Sequence, residues 1–178
     1  VVKQATDPST GAQVVPAGYP TIWPSIRTPV TGDYQMDPDI CSPTGSFGSI
    51  YAGRIQDDLK AIPTLSIVTN RDDMFGSTGI YINEGQDGTE RKASAELIIP
   101  SGTEPGFQVN CGVRMQGGVS GGGTSLDRWK TYKCAMRLVF RGGYGPSQLR
   151  YALFPDEPEA TDRFDTVVLE ARLNNVWL

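Results

Sequence analysis

Apolar and polar side chains alternate with a period of two where Val109, Cys111, Val113 and Met115 interleave with Asn110, Gly112, Arg114 and Gln116. That is the pattern of a half-buried β-strand. Similar apolar runs of strand length, bounded by Gly, Pro, Asn and Asp, recur at Thr64 to Thr69, Ile80 to Asn83, Ala93 to Ile99, Phe107 to Gln116, Thr131 to Arg141, Gln148 to Phe154 and Phe164 to Leu173. One short stretch has helical spacing instead: Ile55, Leu59 and Ile62, over Arg54 to Ala61, stopped by Pro63. Before it, residues 1–50 are dense in Pro, Gly, Ser and Asp, with isolated large side chains at Tyr19, Ile22, Trp23, Ile26 and Tyr34. An extended arm explains that spacing, because isolated anchors need a surface that the arm itself does not supply.

The expectation is therefore an α+β fold, predominantly β: an antiparallel sheet with one short helix over residues 51–178, preceded by an extended arm over 1–50. Between the strands at 107–116 and 131–141 lies a cluster of five glycines in seven residues, Gly117 to Gly123. A hairpin closed symmetrically across it pairs residues whose numbers sum to about 245, placing Met115 near Lys130 and Cys111 near Cys134. The two cysteines are then either buried reduced thiols, the favoured state, or a bridge.

Composition narrows the chemistry. The 178 residues include no histidine, which excludes Ser-His-Asp and Cys-His nucleophiles, histidine-ligated zinc and a near-neutral imidazole proton shuttle. The three cysteines, Cys41, Cys111 and Cys134, have no Cys-x-x-Cys spacing, so a metal knuckle is disfavoured. A net charge of −4 argues against nucleic acid as a partner. No apolar run reaches the length that a membrane-spanning helix needs, so no membrane insertion is expected of this segment. The opening Val1, Val2, Lys3 reads as a chain processed or excised from something longer.

The charge is unevenly spread. From Phe107 to Arg150 there are seven basic residues, Arg114, Arg128, Lys130, Lys133, Arg137, Arg141 and Arg150, against Asp127 alone, so this stretch carries +6 and the other 134 residues carry −10. Glycine backbone N–H groups flanked by cations suit a phosphate or carboxylate. Solvated cations beside a wide turn are the competing explanation. No G-x-x-x-x-G-K-[ST] and no G-x-G-x-x-G opening a helix occurs, which excludes a P-loop, but a strand-loop-strand setting is compatible with a kinase-like glycine-rich lid. The acids at Asp37 and Asp39, Asp57 and Asp58, Asp72 and Asp73, and Glu84 through Asp87 to Glu90 offer oxygen ligands for Ca²⁺ without an EF-hand pattern; turns and helix caps explain them better. Trp23, Trp129, Tyr132, Tyr144 and Trp177 admit a sugar-stacking platform, though core and anchor roles are the more ordinary use.

The run from Gly112 through Gly117 and Gly118, the stretch Lys130 to Leu138 with Lys133 and Arg137, Tyr144 and Gly145, and "LRYALF" at Leu149 to Phe154 resemble the N-terminal part of the CotH spore-coat kinase family. "IPTLSIVTNRDDMFGSTGIYIN" and "FDTVVLEARLNNVW" resemble the same family in the same order, so the likeness runs from about Asp33 to Leu178. The resemblance implies the N-terminal part of an atypical protein-kinase fold that uses ATP and Mg²⁺ on serine of protein substrates, in an extracellular or cell-envelope setting with coat or envelope proteins as partners. It implies phosphate contacts for Gly117, Gly118 and Lys133, with Arg114 and Arg137 beside them. The family's usual Asn and Ser after the first glycine are replaced by Gly118 and Val119. Glu170 reads mainly as a surface residue of the last strand, with orientation of Lys133 as a lesser alternative. The family's catalytic acids lie downstream of the segment matching Val167 to Trp177, so this chain alone is not expected to be a competent kinase. The alternative from another class is an extracellular β-rich module that contacts glycans or coat proteins without nucleotide. No oligomeric state follows from the sequence.

Overall fold

The computed structural model of the chain describes residues 13–24, 29–83, 89–102, 104–116 and 135–170. Among these residues nine strands occur, β1 (Ile22–Trp23), β2 (Val30–Thr31), β3 (Thr64–Thr69), β4 (Arg91–Ile98), β5 (Phe107–Met115), β6 (Met136–Val139), β7 (Leu149–Arg150), β8 (Arg163–Phe164) and β9 (Thr166–Leu169). Four short helices accompany them, α1 (Pro38–Cys41), α2 (Gly48–Tyr51), α3 (Ile55–Ala61) and α4 (Arg71–Phe75). The fold is predominantly β, as expected, with three more helices than the single one read from the pattern. At four or five residues, α1, α2 and α4 are too short to display a helical period.

Caps make these turns possible. The Asp37 side chain accepts from Asp39 N at 2.9 Å with Pro38 in the first turn of α1, and the Asn70 side chain accepts from Asp72 N at 2.9 Å to open α4. Ile80 to Asn83, expected as a strand, is a series of turns. Ile80 N and Tyr81 N donate to the carbonyls of Asp73 and Met74, which spends their backbone donors on α4 instead of on a neighbouring strand. Ile80 and Tyr81 are buried, so their apolar character reports a plug in the core.

The chain divides into two compact units. One comprises Val1–Ile22, Thr31–Thr64 and Ile98–Pro105 and contains α1, α2 and α3. Within it, Gln13 bridges two passes of the chain: its Nε2 donates to Gly32 O at 2.8 Å, its Oε1 accepts from Tyr34 N, and Tyr34 meets Tyr19 edge-on with ring centroids 5.6 Å apart.

The other unit comprises Trp23–Val30, Leu65–Leu97 and Gly106–Leu178, and it holds every buried large apolar side chain found among the described residues. Its frame is a five-stranded sheet in the order β3-β4-β5-β6-β9, with β4-β5, β5-β6 and β6-β9 antiparallel. β7 and β8 form a separate ribbon. Pleating places Ala93, Ala95, Cys111, Val113, Met115 and Leu138 on one face, all buried. Trp23, Tyr81 and Phe75 form an aromatic cluster, with centroid separations of 5.7 Å and 4.9 Å. The anchor at Trp23 is thus seated in the core and offers no sugar platform.

The register of β5 and β6 corrects the symmetric hairpin. Gly112 pairs with Val139, Val113 with Leu138, Arg114 with Arg137 and Met115 with Met136, so partner numbers sum to 251. The offset of six from the expected register is even, so every side chain keeps the face assigned to it while its partner changes. Met115 lies opposite Met136, not Lys130, and Cys111 is out of step with the pairing expected for Cys134.

Candidate functional site

The face of β5 and β6 opposite the core, called here the outer face, carries Gly112 and Arg114 from β5 and Arg137 and Val139 from β6. Arg114 and Arg137 are direct cross-strand neighbours. Two like charges in that relation oppose each other unless something between them or beside them is negative. Arg137 is half-buried, and its Nε is buried with no hydrogen-bond partner among the described residues. One further rung, Gln116 N donating to Ala135 O at 2.9 Å, carries the ladder to the edge of the glycine-rich segment. Of the residues singled out from sequence, Arg114 and Arg137 are therefore brought together. Gly117, Gly118, Lys133 and Cys134 lie outside the described residues.

A second arginine pair, Arg150 opposite Arg163 on β7 and β8, has a different setting. Arg163 is exposed and reaches Asp162 at 3.8 Å, so acid from its own ribbon already accompanies it.

One pleat away from Arg114, Gly112 leaves room for a polar cluster that the sequence pattern did not reveal. A Cβ on Gly112 would lie 2.6 Å from Tyr144 Cε2 and 2.7 Å from Glu90 Oε1. Glu90 has a side chain only 6% exposed, and its Oε2 is 3.2 Å from Arg141 Nη2. Tyr144 sits beside the same carboxylate; its pKa is raised by burial first and by its closeness to the Glu90 carboxylate after it, with Arg141 and Arg91 opposing. The other oxygen, Glu90 Oε1, is buried with no partner among the described residues. The segment bearing Arg141 and Tyr144 is a tight turn, with Tyr144 N and Gly145 N both donating to Arg141 O. Gly145 comes so close to β5 that a Cβ there would lie 2.6 Å from Asn110 O. The single clue in the sequence was Gly112 inside an otherwise regular strand, a position that commonly marks close approach of another group.

No family model, curated protein or solved structure matches the chain.

The remaining candidates resolve individually. Cys41 and Cys111 are free thiols. Cys111 is fully buried on the core face opposite Ala93, and burial, then the negative charge of Glu90, pushes its pKa up to about 11. A thiol so protonated is a packing residue and a poor nucleophile. Glu170 is exposed immediately after β9, at an outer strand of the sheet. The acidic pairs act locally: Asp37 and Asp39 in caps and turns around α1, Asp58 with Arg54 at 3.4 Å, Asp57 with Lys60 at 3.8 Å, and Asp73 with Arg91 at 3.7 Å. Among the described residues no group of three or more His, Cys, Asp or Glu is arranged to hold a metal ion, and no helix is long and apolar enough to cross a membrane.

Proposed function

We propose that this chain is the N-terminal, nucleotide-positioning portion of a CotH-like atypical protein kinase, and that the outer face of β5 and β6 takes the phosphates of ATP. The observation that carries this is Arg114 directly opposite Arg137, at the end of the two strands from which the glycine-rich segment departs. A phosphate between the two guanidinium groups accepts a charge-assisted contact from each. The resemblance adds Gly117, Gly118 and Lys133 as further phosphate contacts, with Mg²⁺ as the companion ion and protein serine as the acceptor. Extracellular or envelope location follows from the same resemblance.

Titration calorimetry at low salt with ATP and with tripolyphosphate tests the proposal. Replacing Arg114 and Arg137 together by Gln is expected to weaken both ligands by at least about tenfold, the effect of losing one hydrogen bond to a charged group. Lys133→Ala should weaken ATP in the same direction. Undiminished affinity in both variants would sink the assignment.

A binding module for glycans or for coat and envelope proteins, without nucleotide, is a second reading supported by the sheet edges. β3 and β9 are the outer strands, and Val68 and Val168 on them are 66% and 45% exposed. Strand edges left unpaired among the described residues are of a kind that accepts a partner strand. Retention on a glycan array without any nucleotide binding would favour this alternative.

A further inference from the structure

On the outer face of the sheet two buried atoms of complementary character are both left without a hydrogen-bond partner among the described residues, the acceptor Glu90 Oε1 and the donor Arg137 Nε. Each such group costs the free energy of its lost hydration, and a carboxylate or guanidinium costs more than a neutral group. Their residues flank β5 from its two sides. Glu90 Oε1 lies against Gly112, and Arg137 belongs to the adjacent row of the same face, opposite Arg114. Diagonal positions on adjacent strands are about 7–8 Å apart, within reach of a rotation of two long side chains. In the arrangement seen here, Glu90 is held instead by Arg141, with Tyr144 beside it.

We propose that Glu90 is an internal competitor for the Arg114 and Arg137 pair: its carboxylate exchanges between the clamp formed by Arg141 and Tyr144 and a contact with Arg137, and an anion on the arginine pair holds it in the clamp. The proposal rests on the reading of that pair as a phosphate site. Its logic is reciprocal. Whatever holds Glu90 in the clamp frees Arg137 for an anion, and an anion on Arg137 returns Glu90 to the clamp, by the same factor. Both orphaned atoms become satisfied when the two side chains meet, which supplies the free energy for the competing state. Glu90 is thus a positioning residue that sets how much of Arg137 is available.

Tyr144→Phe separates this from simple electrostatics, because it removes the phenol hydroxyl beside Glu90 without changing any charge. Tripolyphosphate binding is expected to weaken by about three- to tenfold, the scale of one hydrogen bond. In a Glu90→Gln background the same substitution should have no effect, and Glu90→Gln alone should bind tripolyphosphate more tightly than the parent chain. The second readout needs no ligand: the Arg137 Nε–Hε resonance, assigned by its loss in Arg137→Lys, should become more protected from exchange in Tyr144→Phe and not in the double variant. Unchanged affinity with an unchanged resonance, or an effect of Tyr144→Phe that persists without Glu90, overturns the proposal. Should the parent chain bind no tripolyphosphate, the phosphate reading falls, while the Arg137 resonance still decides whether Glu90 reaches it. If Tyr144→Phe fails to fold, Glu90→Gln decides: the competition is overturned if that variant leaves both the affinity and the Arg137 resonance unchanged.

Discussion

Gly112→Ala is the most discriminating perturbation of the outer face, because the sign of its effect depends on a neighbour. In an ordinary strand interior Ala is favoured over Gly by roughly 0.5–1 kcal/mol, since glycine surrenders more backbone entropy on folding. Here the new methyl carbon would lie 2.6 Å from Tyr144 Cε2 and 2.7 Å from Glu90 Oε1, closer than real Cβ contacts allow, and 3.0 Å from Glu90 Cδ, which is tight. The obstructing atoms are side-chain ends, so they yield before the backbone does. Glu90 is not free to yield without cost, since its carboxylate is held by Arg141 at 3.2 Å. Displacing it weakens a hydrogen bond to a charged group, worth about 1.5–3 kcal/mol. Set against the entropic gain, the net expectation is a destabilisation of about 1–2 kcal/mol. Urea unfolding followed by tryptophan fluorescence measures it directly. In a background carrying Glu90→Ala and Tyr144→Ala, which removes both obstructing side chains, the same Gly112→Ala change should become neutral or stabilising. A Gly112→Ala variant that is already as stable as the parent chain would refute the claim that this glycine exists to admit the cluster.

Two further outcomes follow from the core. Leu138→Ala, at one of the most completely buried side chains and opposite Val113, should cost about 2–5 kcal/mol in the same denaturant assay. For Cys111 the folded thiol holds its proton up to about pH 11 whereas the unfolded thiol releases it near its ordinary value of 9.0, so stability is full below pH 9 and declines as pH rises from there toward 11; Cys111→Ala should flatten that decline, and Ellman's reagent at pH 8 should label Cys41 well before Cys111.

Alternation made β4 and β5 legible because both are long, two-faced strands whose core residues recur at every second position, as at Ala93, Ala95, Cys111, Val113 and Met115. β3 was equally plain, with its bounds at Thr64 and Thr69. The turns at Ile80 to Asn83 misled for a physical reason: burial of Ile80 and Tyr81 gives the same apolar signature whether the backbone is paired in a sheet or bonded back to α4. Register failed because a glycine-rich connection imposes no symmetric closure, yet the even offset left faces intact; the nearness of Arg114 and Arg137 came from the family resemblance and not from the register. Glu90 reads from the sequence only as one acid of a loop, because its ion pair with Arg141 lies some fifty residues away and no local pattern encodes a pairing of that range.

The net charge of −4 conceals how the outer face is set up. Arginines at 114, 137 and 141 give that face a local positive field, and one buried carboxylate sits among them. A buried acid in such a place is seldom there for stability, since replacing a buried ion pair by apolar groups is often neutral or better. Its use is to choose between partners. Exposed arginines such as Arg141 are screened over about 8 Å at physiological ionic strength, whereas the buried carboxylate is screened far less. Raising salt therefore weakens the attraction of an incoming phosphate more than it weakens the hold of Glu90 on whichever guanidinium it faces. The balance between anion and internal carboxylate tips toward the carboxylate as salt rises, and in Glu90→Gln that part of the salt dependence is absent.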